Sequence, residues 1–123
     1  MPRVIHFGIS ADEPDRAAKF YSEAFGWEFK KWEGDVDYWM IKTGDEAEPG
    51  IDGGLMKKSQ ESLPGTIDTI EVPSVKDYIE KITAAGGKIT IPTMAIPGVG
   101  WLAYFEDTEG NTFGIMEEDE SAA

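Results

Sequence analysis

An internal repeat constrains this chain more than any other feature, because much of the second half can be aligned with the first. One constant shift aligns identical residues of the two halves: Ile9 with Ile70, Ala24 with Ala85, and Gly26 with Gly87. A shift one residue shorter aligns Gly53-Gly54-Leu55-Met56 with Phe113-Gly114-Ile115-Met116. Self-similarity of this kind indicates that one supersecondary unit occurs twice.

Each half reads as a strand, a helix and three further strands. Alternating or β-rich segments predict strands at 4–9, 27–33, 38–43, 51–57, 66–72, 88–91, 101–105 and 112–116. We expect Asp12 to cap the first helix, Pro14 to occupy its first turn, and Gly26 to end it. In the second half, Ser74 is the expected N-cap and Gly86-Gly87 the expected stop.

The order β-α-β-β-β, occurring twice, predicts an α+β protein. We expect a single domain over 1–123, with modules at about 1–58 and 66–117 and a polar linker at 58–65. The apolar positions expected in the core are Ile5, Phe7, Ile9, Ala17, Phe20, Tyr21, Ile70, Val72, Ile79, Ile82, Phe113 and Ile115. The acidic tail, Glu117–Ala123, is expected to fray.

Composition excludes several classes of function. The chain has no cysteine, which excludes disulfides, thiolate nucleophiles and cysteine metal sites. The chain is acidic, with a net charge of −13, so it would repel the phosphates of nucleic acid, and we expect no nucleic acid partner. No apolar run is long enough to span a membrane, and the N-terminus lacks the apolar stretch of a signal peptide. We therefore expect no membrane partner and a cytoplasmic location.

Several short motifs, in this order, resemble the vicinal oxygen chelate superfamily, which includes glyoxalase I, bleomycin and fosfomycin resistance proteins, and extradiol dioxygenases. The motifs are the segment from His6 to Tyr21, the helix ends Phe25-Gly26-Trp27 and Ala84–Gly87, and the turn Glu106–Asn111 with Thr108 in place of proline. The resemblance covers nearly the whole chain. It implies two βαβββ modules in a cupped mixed sheet with helices on the convex face, and we expect a homodimer.

The same resemblance places the metal ligands of the family at His6, Gly54, Ile67 and Gly114. Only His6 has a side chain that can coordinate a metal, whereas catalytic metal sites need about three protein ligands. We therefore predict no metal and no cofactor.

A ligand is expected on the side of the sheet opposite the helices, because alternate residues of a strand share a face. The candidate ligand-binding residues are His6, Met40, Gly54, Met56, Ile67, Thr69, Tyr104, Gly114 and Met116. The two glycines either leave room for a ligand or allow close contact with a facing aromatic ring. Tyr104 is either a hydrogen-bonding group for the ligand or a core residue, and the methionines line either a pocket or the core.

The function predicted from these residues is metal-independent binding of a small organic molecule, of unknown identity, in a concave apolar cleft. One alternative is a lyase or isomerase related to lactoylglutathione lyase, which would use His6, Tyr104 or a metal site completed across a dimer. Another alternative is a structural or regulatory interaction protein. The sequence identifies no catalytic residue and does not identify the ligand.

Overall fold

The β-α-β-β-β order occurs twice in a computed structural model of the chain, which describes residues 2–34, 37–58 and 65–123. The first copy consists of β1 (Arg3–Ala11), α1 (Pro14–Phe25), β2 (Glu28–Lys31), β3 (Tyr38–Lys42) and β4 (Asp52–Lys57). The second consists of β5 (Thr66–Glu71), α2 (Val75–Ala84), β6 (Lys88–Ile96), β7 (Gly100–Glu106) and β8 (Thr112–Glu118). The repeat and the α+β class are confirmed. Most of the predicted linker, at 59–64, lies outside the described residues.

The chain divides into two compact units. The N-terminal unit is His6–Ile67, and the C-terminal unit is Asp68–Ala123 together with Met1–Ile5. Among the described residues, no helix has the length and hydrophobicity of a membrane span.

In the N-terminal unit, the strands lie in the order β2-β3-β4-β1, with β1 parallel to β4 and the other pairs antiparallel. The core on one face of this sheet consists of Ile9, Ile41 and Leu55, against which residues of α1 pack. Helix α1 ends at Gly26, whose φ of 74° is the left-handed conformation expected of a glycine C-cap. Its N-cap is Glu13, without a side-chain hydrogen bond, so the prediction that Asp12 caps the helix is wrong.

The C-terminal unit repeats this arrangement, with the strand order β5-β8-β7-β6 and β5 parallel to β8. Its core consists of Val72, Val75, Ala103, Phe105 and Ile115, with residues of α2 packed against it. Ser74 caps α2 as predicted, because its hydroxyl accepts the Asp77 N–H at 3.2 Å.

Two residues predicted to lie in the core are exposed. Phe20 is 59% exposed and Ile5 is 41% exposed. No residue of α1 is fully buried, and the Phe20 ring contacts Tyr21 edge-on, at 5.1 Å between centroids, while Tyr21 packs against the core. Ile5 precedes the register between β1 and β4, which begins at His6.

The acidic tail is held in place, so the prediction that it frays is wrong. Residues up to Glu118 belong to β8. The indole N–H of Trp101 donates to Asp119 at 3.0 Å, and the Gly98 N–H donates to the Ala122 carbonyl at 3.0 Å. Ala122 is buried. These contacts join the tail to the start of β7 and the loop before it.

Candidate functional site

One face of the N-terminal unit carries most of the candidate residues from the first half of the chain. The register pairs His6 with Asp52, Gly8 with Gly54, Met40 with Gly54 and Tyr38 with Met56. Since alternate residues share a face, these positions lie opposite the face that carries Ile9, Ile41 and Leu55. We call this surface the His6 face; it consists of His6, Gly8, Tyr38, Met40, Asp52, Gly54 and Met56.

A hydrogen bond between an imidazole and a phenol is the main polar feature of the His6 face. The Tyr38 hydroxyl lies 3.2 Å from His6 Nε2. Burial lowers the pKa of His6 below its ordinary 6.5, and the nearby Asp52 carboxylate opposes this effect only in part. A neutral imidazole protonated at Nδ1 accepts the Tyr38 O–H at Nε2. The pair therefore presents a neutral hydrogen-bonding group at neutral pH.

Asp52 is oriented by Thr43. Its Oδ1 accepts the Thr43 N–H at 2.9 Å and the Thr43 hydroxyl at 3.2 Å. The carboxylate is thus held on the strand next to His6, where it favours the protonated imidazole by electrostatic attraction.

We predict that the pKa of His6 measured by NMR lies below 6.5 in the folded protein, and that Asp52→Asn lowers it further. The buried imidazole binds its proton less tightly than the unfolded one, so protonation of His6 destabilises the folded protein. The stability that depends on a neutral His6 is fully present above about pH 6.5 and is lost as pH falls through the lower folded pKa. The chain has one histidine, so its ring resonance is unambiguous. A folded pKa above the value in urea, or a rise with Asp52→Asn, would contradict this assignment.

The glycines of the His6 face have different surroundings. A Cβ at Gly54 would overlap the phenol of Tyr38, so close contact with an aromatic ring is the correct explanation for this glycine. A Cβ at Gly8 would meet only the Ile67 carbonyl oxygen, at 3.6 Å, which is an ordinary contact. The space above Gly54 is therefore occupied by Tyr38, whereas the position above Gly8 has room for a side chain.

The C-terminal unit brings together the other candidates. Gly114 is paired with both Thr69 and Tyr104, and Met116 with Leu102, on the face opposite the core residues Ala103 and Ile115. A Cβ at Gly114 would lie 3.1 Å from the Thr69 hydroxyl oxygen and 3.3 Å from the Tyr104 ring, so this glycine too accommodates a tyrosine.

Tyr104 and Ile67 complete the set of candidates. Burial raises the pKa of Tyr104 above its ordinary 10.0, so the phenol stays protonated at neutral pH. Within the described part of the chain, its hydroxyl has no hydrogen-bond partner. Ile67 is 8% exposed and belongs to the N-terminal unit.

The residues present do not suit a catalytic metal ion. Of the four positions that the family uses, Gly54, Ile67 and Gly114 have no donor atom in their side chains. Nε2 of His6 already shares a hydrogen bond with Tyr38. Across 2–34, 37–58 and 65–123, no three His, Cys, Asp or Glu side chains are grouped so that they could hold a metal.

The sequence analysis missed Tyr38, Asp52 and Gly8. Each lies two residues from a candidate that was identified: Met40, Gly54 and His6 respectively. Strict application of the strand period would have placed all three on the same face.

A separate open depression in the C-terminal unit contains none of the candidate residues. It is lined by Glu71, Val72, Pro73, Glu117 and Glu118. One carboxylate there has a structural role: Glu117 accepts a hydrogen bond from the Val75 N–H at the start of α2, at 2.9 Å.

Comparison with known proteins identifies a family and a relative by sequence. The family model described as the Glyoxalase/Bleomycin resistance protein/Dioxygenase superfamily matches residues 3–115. A glyoxylase-like domain-containing protein from Didymella fabae is 37% identical over 114 residues, which cover 87% of this chain and 87% of that protein.

Solved structures share the fold at low sequence identity. A hypothetical protein from Bacillus halodurans has a TM-score of 0.73 and 15% identity, covering 99% of this chain and 98% of that one. Methylmalonyl-CoA epimerase from Mycobacterium tuberculosis has a TM-score of 0.71 and 13% identity, with coverage of 94% and 87%. A variant of the Streptomyces coelicolor epimerase in complex with 2-nitronate-propionyl-CoA has a TM-score of 0.72 and 16% identity, with coverage of 98% and 97%. At these identities the likeness shows the fold alone.

Proposed function

We propose that this chain, which belongs to the Glyoxalase/Bleomycin resistance protein/Dioxygenase superfamily, binds a small organic molecule without a metal ion. The observation that carries the proposal is the His6 face, where a neutral imidazole–phenol pair occupies the position at which the family would bind a metal. Such a pair offers hydrogen bonds in partly apolar surroundings, as ligand sites commonly do.

The surroundings of the pair support binding. Met40 is 43% exposed on the same face, and an exposed thioether is an adaptable apolar contact. In the C-terminal unit, the Tyr104 hydroxyl has no hydrogen-bond partner among the described residues. The proposed ligand-binding residues are His6, Met40, Gly54, Met56, Ile67, Thr69, Tyr104, Gly114 and Met116, to which we add Tyr38. Gly54 and Gly114 serve indirectly, by allowing the tyrosines to lie against the strands.

Metal independence is tested on protein purified without an affinity tag and dialysed against EDTA. Native mass spectrometry of this protein should retain a co-purified organic molecule, and a thermal-shift screen of metabolites should give the same responses before and after dialysis. His6→Ala and Tyr38→Phe should weaken the response, whereas Tyr78→Phe, a matched change on α2, should not. Loss of binding on chelation, with recovery on adding a divalent metal, would overturn the proposal.

The hydrogen bond between His6 and Tyr38 also favours a second candidate, a lyase or isomerase of the glyoxalase type. An imidazole with a lowered pKa is a base at neutral pH, and the adjacent phenol is a weak acid, so the pair can exchange protons with a bound molecule. This candidate predicts turnover by EDTA-treated protein, with a pH–rate profile that follows the His6 pKa. Ligand binding without turnover favours the binding function.

We further propose that the protein is a homodimer in the cytoplasm and that its two units form one domain. Phe20 and Phe25 on α1 are 59% and 62% exposed, and exposed aromatic surface of this kind favours self-association. The net charge of −13 argues against a nucleic acid partner. Sedimentation equilibrium of the wild type and of Phe25→Ser tests the dimer; a monomer in both would exclude it.

A further inference from the structure

We infer that the ligand of the His6 face is a planar molecule without a negative charge, which lies over Gly8 and directs one hydroxyl or carbonyl oxygen at the His6–Tyr38 pair. This inference rests on the proposed binding function and specifies the chemical class of the ligand.

No side chain of the described residues packs closely over Gly8. A glycine inside a strand weakens the strand, so its presence calls for a close neighbour or a ligand. Two other strand glycines of the same unit have such neighbours: a Cβ at Gly53 would collide with Phe7, and one at Gly54 with Tyr38. At Gly8 the nearest contact is 3.6 Å away and ordinary. The described residues therefore do not fill the space that Gly8 leaves.

The groups around Gly8 suit a flat molecule. Gly54 is paired with Gly8 on the next strand, and the Tyr38 ring lies over Gly54. His6 lies two residues before Gly8 on β1. Met56 lies opposite Ser10, two residues further on. Neighbouring strands lie about 4.8 Å apart, so a ring resting on the Gly8 backbone touches the groups on the next strand. A planar ring meets the imidazole, the phenol and a thioether, all of which favour aromatic contacts.

The charges around the pair disfavour an anionic ligand. The Asp52 carboxylate lies opposite His6 on the same face. An anionic group at the pair would be repelled by this carboxylate. Lys30 and Lys42 also lie on this side of the sheet, on β2 and β3. Solvent screens their charges and that of Asp52, since all three residues are exposed, but only Asp52 of the three lies on the strand paired with that of His6. The phenol oxygen and the imidazole together can donate to and accept from a ligand oxygen.

The experiment compares three planar probes on the full-length, EDTA-treated protein: β-naphthol, naphthalene and β-naphthoate. Binding is measured by fluorescence titration. We expect saturable binding of β-naphthol, with naphthalene bound about tenfold more weakly, since one hydrogen bond is worth about that factor. β-Naphthoate should also bind more weakly than β-naphthol, because the Asp52 carboxylate repels its charge. Tyr38→Phe should weaken β-naphthol about tenfold and leave naphthalene unchanged. Tyr78→Phe should change neither.

Gly8 variants test the location. Gly8→Leu should abolish binding of β-naphthol while the melting temperature stays the same or rises. If the leucine variant does not fold, Gly8→Ala replaces it in the test, because its Cβ makes only an ordinary contact. Gly8→Ala should weaken binding of β-naphthol severalfold. Any of three results would overturn the inference. These are an unchanged affinity for β-naphthol in a folded Gly8 variant, tighter binding of β-naphthoate than of the other two probes, and no binding of β-naphthol. If another molecule still binds and is lost with His6→Ala, the proposed function stands and only the ligand class is wrong.

Discussion

Truncating Leu55 to alanine lowers the free energy of unfolding by about 3 kcal/mol, whereas truncating Phe20 lowers it by about 1 kcal/mol or less. Leu55 has no exposed surface and belongs to the core under α1, so its removal leaves a cavity among groups that cannot collapse fully. Phe20 is 59% exposed and makes one edge-on contact with Tyr21. Urea denaturation of both variants measures the difference.

Ile115→Ala provides the matched change in the C-terminal unit, because Ile115 is 2% exposed. It should cost about as much as Leu55→Ala. Equal losses for Leu55→Ala and Phe20→Ala would mean that α1 packs through a different side of the helix. A loss below about 1 kcal/mol for both Leu55→Ala and Ile115→Ala would contradict the strand parity that places His6 on the opposite face of the sheet.

Gly54→Ala, which adds a single methyl group, should destabilise the protein by about 1–3 kcal/mol. The added Cβ would overlap the phenol of Tyr38, so the ring must move and its hydrogen bond with His6 is broken. Gly8→Ala is the control on the neighbouring strand, where the Cβ makes an ordinary contact, and we expect unchanged or increased stability. Both are measured by urea denaturation.

The same pair of variants has a spectroscopic readout. In Gly54→Ala the resonances of the only histidine ring should shift, because the ring loses its phenol partner, whereas in Gly8→Ala the His6–Tyr38 hydrogen bond remains. An alanine at Gly54 that costs no stability and leaves the His6 ring unchanged would contradict the position assigned to Tyr38.

The fold was predictable because its signals are local and occur twice. Strand alternation placed His6 opposite Phe7 and Ile9, and the helix stop at Gly26 and the cap at Ser74 were both correct. Phe20 was assigned to the wrong side because helical spacing alone does not tell which of two adjacent aromatic residues faces the sheet. The tail was misjudged because Trp101 and Asp119, which hold it, are distant in sequence.

The candidate site was predictable only in part. Strand parity identified His6, Met40 and Gly54 and also places Tyr38 on their face, but it does not show that Tyr38 contacts His6, which lies in another strand. The sequence likewise left two explanations for Gly54, since whether a glycine is open or covered depends on which side chain crosses it. The difference between Gly8 and Gly54 required the positions of atoms on neighbouring strands.

The central claim is that a metal-free chain binds its ligand on the His6 face. An amide NMR titration of EDTA-treated protein with β-naphthol tests this claim most directly. We predict saturable shifts that are largest at Gly8, Tyr38 and Gly54, together with a shift of the His6 ring protons. Saturable binding whose shifts are confined to other surfaces, such as the depression lined by Glu71 and Glu117, or shifts that appear only after a divalent metal is added, would contradict the claim.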